Sequence, residues 1–557
     1  MGFSDFLVTD DLTILLGLIT ASIFLLFNLY KPQSLVHPIL LGRQSDVSRV
    51  RNPGESAVHR NYGTGMLGRF PIRPTREIQT LLDHIKPDFD APRTLWSTKI
   101  TNTQLRERVA AFGTGLRRAG LKRTSNVLLL LDDSIEFLIT DLALASQCIP
   151  SFTLSSPSLL SPVLENHPPT AIIIDAAFLP HALELIYDTN ELAHHVVIIV
   201  GEPDSKTIAD ASAHIRLVRW ADIEAEGRTG ESAVPTHQPE PSTIFTVSFY
   251  NDTNGRLQAA QLSHQNITAG VTAMRALLPL SNPLTALDTI VSAHSMSTAY
   301  GRSIAYTALH EGTNFGTLPS AGLYNSANST APTGLAELFS NKLSLPSPTV
   351  LFIKPLHLGE LVSAVIGSAK TSFLFSSGWR HKLAGIFEGY ITKESLWDRL
   401  VFEDARVKVM GPGAATVRGV VVSDGPINVD LLTPARIALS VPLVHAFVHP
   451  LVVSPIFASH PQDLQTFPKA ASGVDSGIAH VGPPVINIEA KMIGVDDVAI
   501  ENGADPVGAL VVRGPTVGKM LVDDVEVDDG NEEAWVSTGY TARAQTNGSF
   551  KVWVTEK

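Results

Sequence analysis

Seven short runs of apolar and β-branched residues constrain this chain more than anything else in it. They are Val127–Leu131, Ala171–Ile174, Val196–Val200, Thr243–Phe249, Thr289–Val291, Thr349–Ile353 and Val420–Val422. A strand with one wet face alternates apolar with polar residues. Runs without that alternation need cover on both faces. Most of them are separated by enough chain for a helical crossover, a rhythm that predicts an α/β fold with layered parallel sheets and helices on both faces. Leu105, Val109, Phe112 and Leu116 recur at helical spacing after Thr103, with Gly120 as the stop, and a second helix is expected over Ser134–Cys148, before Pro150. This α/β body is assigned to residues 87–480. From Pro483 the pattern shortens to Val485–Met492, Ala509–Val512 and Phe550–Val554, which predicts a small β-barrel-like module over 481–557. Residues 36–86, rich in Pro, Arg and Gly, are expected to lie over the surface.

Leu12–Tyr30 carries no charge and is close to the ~20 residues that cross a bilayer as a helix. Asp10 and Asp11 precede it, and Lys31, Arg43, Arg49 and Arg51 follow, so the side after the helix is expected to face the cytosol. The reading is one membrane anchor (residues 1–35) that touches membrane lipid through residues 12–30 and holds the body in the cytosol. Endoplasmic reticulum, lipid droplet and peroxisome surfaces suit it equally. A removed or interfacial segment is the other option. Sequons at Asn251, Asn266, Asn328 and Asn547 matter only if the body is lumenal. The chain has 42 Lys+Arg and 54 Asp+Glu, a net −12, which argues against a nucleic-acid partner. Its one cysteine, Cys148, excludes an internal disulfide framework and a cysteine-rich zinc site. The acidic run Asp523–Asp529 lacks calcium-loop spacing.

The stretch Phe249–His264, FYNDTNGRLQAAQLSH, follows a predicted strand and ends in Leu-Ser-His. It resembles the phosphate loop of the adenylate-forming superfamily, Tyr-Thr-Ser-Gly-Thr-Thr-Gly-x-Pro-Lys-Gly, which is followed by Leu-Ser-His. Residues 99–120, 481–485, 511–521 and 535–552 are similar to further family segments in the same order. The N-terminal run and residues 35–44 look most like the long-chain acyl-CoA synthetase branch. The resemblance implies joining of a carboxylate to AMP with ATP and magnesium, then transfer to coenzyme A.

Laid residue by residue on this chain, the motif is degenerate. Tyr250, Asn251, Asp252, Thr253, Asn254 and Gly255 stand at the phosphate-loop positions, with Asp252 in place of the middle glycine. Gln258 replaces the lysine. Phe447 stands for the adenine-stacking tyrosine and Leu451 for the magnesium-binding glutamate, and leucine has no oxygen to offer a metal. Tyr540 replaces the ribose-binding aspartate. His294–Thr298 replaces the substrate-gating segment, and Ser423–Pro426 keeps part of an adenine-side stretch. Val554 and Thr555 match the hinge pair before the family's C-terminal lid, so that lid is expected to be missing. Removing one preorganised charge-stabilising group costs about 3 kcal/mol. Two such losses already imply about ten-thousand-fold in rate. The expected function is therefore that of a membrane-anchored acyl-CoA-synthetase-like pseudoenzyme of lipid metabolism, with no catalytic or metal residue of its own. It would bind fatty acid or acyl-CoA, or scaffold an active lipid enzyme. The alternative is an active ATP-dependent long-chain fatty acid–CoA ligase that uses ATP, magnesium and CoA through altered residues.

Overall fold

The computed structural model describes residues 10–29, 34–187, 196–203, 216–229, 238–324, 334–339, 344–465, 477–521 and 535–554. Two eight-stranded sheets and one six-stranded sheet carry the architecture. In the first sheet the order is Lys519–Met520, Leu257–Ser263, Ile244–Asn251, Ser151–Leu154, Val127–Leu130, Ala171–Asp175, Val196–Val200, Arg216–Arg219. In the second it is Phe457–Ala458, Leu443–Phe447, Gly419–Val422, Val350–Ile353, Thr289–Ser292, Asn314–Thr317, Arg93–Leu95, Thr98–Ile100. The inner strands pair in parallel and antiparallel partners close the edges, so the fold is α/β with mixed sheets. All seven apolar runs lie on strands within a residue or two of their expected ends.

Two-sided burial explains why those runs do not alternate. Val127 and Leu129 face the core between the two large sheets, whereas Leu128 and Leu130 face the outer layer of the first sheet. Val350 and Phe352 face the shared core, and Leu351 and Ile353 face the outer layer of the second sheet. The helices Asn102–Arg118 and Ile135–Ser146 start where Thr101 and Ser134 cap them, each side chain accepting a backbone N–H inside the first turn. Gly120 follows the first helix at φ +102°, a conformation suited to glycine.

Three expectations change. The segment 36–86 is more than a surface cover, because Asp46–Val47 and His59–Arg60 extend the six-stranded sheet beside Glu489–Ile493, and Leu81 and Ile85 are fully buried. Within the run 485–492, Val485–Ile488 is a turn rather than a strand: Ile488 N–H bonds Val485 O at 3.1 Å, and the buried Asn487 amide donates to Ala269 O. The apolar stretch 441–453 contains a strand, Leu443–Phe447, parallel to Gly419–Val422.

The N-terminal apolar run forms a helix over Asp11–Leu29, with its described side chains exposed. Among the described residues no helix is long and apolar enough to cross a membrane, so the single span expected over 12–30 is not met. Tyr30, Asn328, Asp523–Asp529 and Thr555 lie outside the described residues.

One buried charge pair ties the layers together. Arg302, on the helix Ala299–Glu311, lies 3.1 Å from the Asp141 carboxylate, and both side chains are completely buried. Arg302 also donates to Thr246 Oγ1 at 2.6 Å, and Tyr306 donates to Asp141 at 2.8 Å. Removing one member leaves a buried charge uncompensated, which costs about 3–5 kcal/mol. Arg302→Leu is therefore expected to lower the urea midpoint sharply, and Arg302→Leu with Asp141→Leu to recover part of the loss. A double variant no more stable than the single one would refute this coupling.

Candidate functional site

The strands Ile244–Asn251 and Leu257–Ser263 form a hairpin in which Tyr250 pairs with Gln258 and Asn251 with Leu257. The turn between them, Asp252–Arg256, occupies the phosphate-loop position. Asp252 organises it: Oδ1 accepts the N–H groups of Asn254 and Arg256, each at 2.8 Å, and the Asp252 N–H donates to Arg256 O at 2.9 Å. Gly255 turns back at φ +76° and donates to Asp252 O at 3.0 Å. Burial opposes ionisation of this carboxyl, but the two backbone donors outweigh it and hold the pKa below the usual value. A phosphate-binding turn aims its N–H groups at the ligand. This one aims them at its own carboxylate, so the anion position is already satisfied from within. Thr253, Asn254 and Gly255 are exposed on the turn, and Gln258 is half-buried beside Tyr250.

Aromatic rings close the space above the hairpin. Tyr540, from the strand Val536–Ala544, lies edge-on to Phe447 at 5.1 Å and to His449 at 6.1 Å. His449 in turn meets Tyr250 at 5.9 Å, and Phe447 meets Phe457, which stacks on Phe550 at 4.3 Å. Such pairs add about 0.5–1.5 kcal/mol each beyond area burial. Burial lowers the His449 pKa to about 4, against the pull of the Thr538 backbone, so this ring is neutral at physiological pH. Its Nδ1 accepts the Leu451 N–H at 3.2 Å. Burial, helped by the nearby Asp252 charge, pushes the Tyr250 phenol up to about 12. Thr253 Oγ1 reaches Gly539 O at 3.5 Å, which links the turn to the segment that carries Tyr540.

The fold therefore gathers Tyr250, Asp252, Thr253, Phe447 and Tyr540 in one place. Leu451 stands apart in role: its side chain is 1% exposed and belongs to the central apolar core. A magnesium ion needs oxygen donors, so the residue at that position does not fit the metal. Among the described residues no group of three or more His, Cys, Asp or Glu is arranged to hold a metal ion.

Two further stretches meet at a second edge of the cleft. Ser423 Oγ lies 3.0 Å from His294 Nε2, and Lys354 pairs with Asp424 at 2.9 Å. Burial lowers His294 to about 3. Sequence reasoning missed what holds the gating segment: Asp133 Oδ1 accepts from Ser295 Oγ at 3.0 Å and from Met296 N–H at 2.8 Å. Asp133 follows the buried strand Val127–Leu130, beside Asp132, and Asp175 ends the neighbouring strand. The signal available was a pair of carboxylates at the end of an otherwise apolar run. Burial raises both Asp133 and Asp175 to about 7.

The comparisons with known proteins bear on family and fold. The model of a family described as AMP-binding enzyme matches residues 86–390. The human long-chain-fatty-acid–CoA ligase 1 is 24% identical over 320 residues, 56% of this chain and 41% of that protein. Ligase 5 of Mus musculus is 24% identical over 322 residues, 56% of this chain and 42% of that protein. The chain thus spans about two fifths of the length of these curated relatives. Among solved structures, a long-chain-fatty-acid–CoA ligase from Archaeoglobus fulgidus superposes with a TM-score of 0.58 at 14% identity, covering 86% of this chain and 84% of that one. An anthranilate CoA ligase in complex with anthranoyl-AMP gives 0.58 at 15% identity, covering 86% and 78%. At such identities these two structures establish the fold.

The raised Asp133 pKa sets a pH dependence. A carboxyl whose pKa rises on folding contributes stability that is complete below its unfolded value, near 4, and is lost as pH rises through about 7. Asp133→Asn keeps the Oδ1 acceptor without the charge. Relative to wild type, the melting temperature of the variant should climb between pH 4 and pH 7 and stay higher at pH 8.5. Parallel melting curves across that range would contradict the assignment.

Proposed function

The chain belongs to the AMP-binding enzyme family, and we propose that it is a member in which acyl recognition persists without nucleotide chemistry. One observation carries the reading: the turn that should cradle phosphate has its own carboxylate, Asp252, bound to the amides of Asn254 and Arg256. A triphosphate brought to within ~4 Å of Asp252 meets a repulsion of about 4 kcal/mol at an intermediate dielectric, where the family has an uncharged glycine. Gln258 offers no charge where the family has its lysine. Tyr540, lodged between Phe447 and His449, offers a ring where the ribose would seek a carboxylate. Leu451 offers nothing to magnesium.

What supports an acyl ligand is the kinship of the chain. The curated relatives are named as long-chain-fatty-acid–CoA ligases, and one structural neighbour was solved with ATP and magnesium. In this member the proposed ligand is the acyl group, as fatty acid or acyl-CoA, and the proposed role is to bind it or to present it to an active lipid enzyme. The exposed apolar helix that begins at Asp11 supports attachment to a membrane surface, and the basic residues after it support a body on the cytosolic side. A glycan on Asn251, an exposed sequon on the hairpin, would reverse that orientation.

Two measurements test the reading. Isothermal titration of the full chain with ATP–magnesium is expected to give no binding in the micromolar range. Pyrophosphate release with palmitate, ATP and CoA is expected to stay at the level of heat-killed protein. Turnover above that control would instead favour an active ligase working through altered residues.

A further inference from the structure

The filled cleft leaves open where an acyl chain is held. A groove of about 260 Å³ lies elsewhere, where the N-terminal segment crosses the end of the helix His264–Arg275 and the turn at Pro483–Ile486. Its walls are largely apolar, with Leu40, Leu41, Leu277 and Ile486 among them. None of residues 294–298, the gating segment of the resemblance, lines it.

Two polar groups at this groove lack partners. Arg43 is exposed and makes no hydrogen bond or ion pair with any described residue. Gln44 is only 9% exposed; its amide donates to Asp463 at 3.0 Å and to Leu41 O at 3.3 Å, while its Oε1 is buried with no partner. A trough of hydrocarbon with an unpaired guanidinium beside it is complementary to an amphiphile of one alkyl chain and one anionic head.

We propose that this groove is a binding site for a single long-chain fatty acid, with the chain along Leu40, Leu41, Leu277 and Ile486 and the carboxylate on Arg43. Gln44 Oε1 accepts a hydrogen bond from water that solvates the head. The way in lies along the short helix Pro38–Gly42, where Ile39 and Leu40 are 73% and 64% exposed. That helix follows the exposed apolar helix Asp11–Leu29, and Leu35 N–H bonds Gly389 O at 2.9 Å, which fixes the connecting segment on the body. An amphiphile leaving a lipid surface meets this apolar edge before it meets the rest of the protein. The inference rests on the proposed acyl-binding reading and adds its location.

The test is photolabelling of the full chain in nanodiscs with a diazirine-bearing palmitate, followed by peptide mass spectrometry. Crosslinks are expected in residues 36–44, 276–277 and 483–486. Arg43 and Ala276 are exposed, so Arg43→Glu and Ala276→Trp are expected to fold with unchanged melting curves. Each should cut labelling there about tenfold, the scale of losing one charged hydrogen bond or blocking the trough. Equal labelling by the uncharged diazirine alcohol would overturn the role of Arg43. Labelling that maps to residues 294–298 and ignores both variants would overturn the groove but leave acyl binding intact. No labelling anywhere would overturn both.

Discussion

The contact between Arg302 and Asp141 fixes the geometry on which the candidate cleft depends. Arg302 rides on the helix that follows the gating segment, Asp141 on the helix after the first buried strand, and Thr246 on the strand that leads into the phosphate-loop hairpin. A buried ion pair gains little net stability, because desolvation cancels much of its attraction. Its effect is on position. Tyr306 satisfies the far oxygen of Asp141, and Arg302 sits 5.5 Å from the Phe245 ring and 5.9 Å from Phe137. An unpaired charge in that apolar setting would be expensive, so the three elements keep their relative places whether or not anything occupies the cleft.

That independence explains how a fold can persist while its chemistry changes. The hairpin, the strand before Phe447 and the strand that carries Tyr540 are held by ladders and core contacts beneath the cleft. The residues on top are free to vary. Glycine at position 252 would leave the turn's N–H groups to an external anion; aspartate closes them internally. A carboxylate at position 540 would need solvent or ligand, whereas a tyrosine ring packs against Phe447 and His449. On the proposed reading, each change favours the empty cleft over a nucleotide complex. A single substitution of this kind weakens a ligase; several together favour the empty state.

Much of this was legible in the sequence, for physical reasons that differ by residue. The buried strands announced themselves because two-sided burial forbids polar residues along the whole run. The helix expected from Ser134 starts at that residue's hydroxyl cap, whereas the one expected from Thr103 starts two residues earlier, where Thr101 caps it. The hairpin was legible through Leu-Ser-His and the spacing before it. What the sequence hid were contacts between distant segments. Asp133 holds Ser295 and Met296 from 162 and 163 residues away, and the carboxylate pair that ends its apolar run does not say what it holds. Residues 36–86 read as surface because their Pro and Gly break periodicity, yet His59–Arg60 finds its partner in Glu489–Ile493. The length of the apolar N-terminal run suggested a full crossing, whereas among the described residues no helix is long and apolar enough to cross a membrane.

One helix joins the cleft to the groove. His264–Arg275 begins at the end of the phosphate-loop hairpin, where Ser263 and Asn266 cap each other and the Asn266 amide donates to Pro515 and Val517 carbonyls. It runs about 18 Å and ends where Ala276 and Leu277 line the groove. Its interior face is packed, with Val453 against Gly270, so it acts as a rigid strut rather than a switch. Energetic coupling between two sites requires an element with two arrangements that each ligand biases. This strut has one. On the proposed reading, a ligand in the groove does not need the cleft to be open. On the proposed reading the two sites answer to different constraints: the cleft to charges that do not suit a nucleotide, the groove to an apolar trough and an exposed arginine.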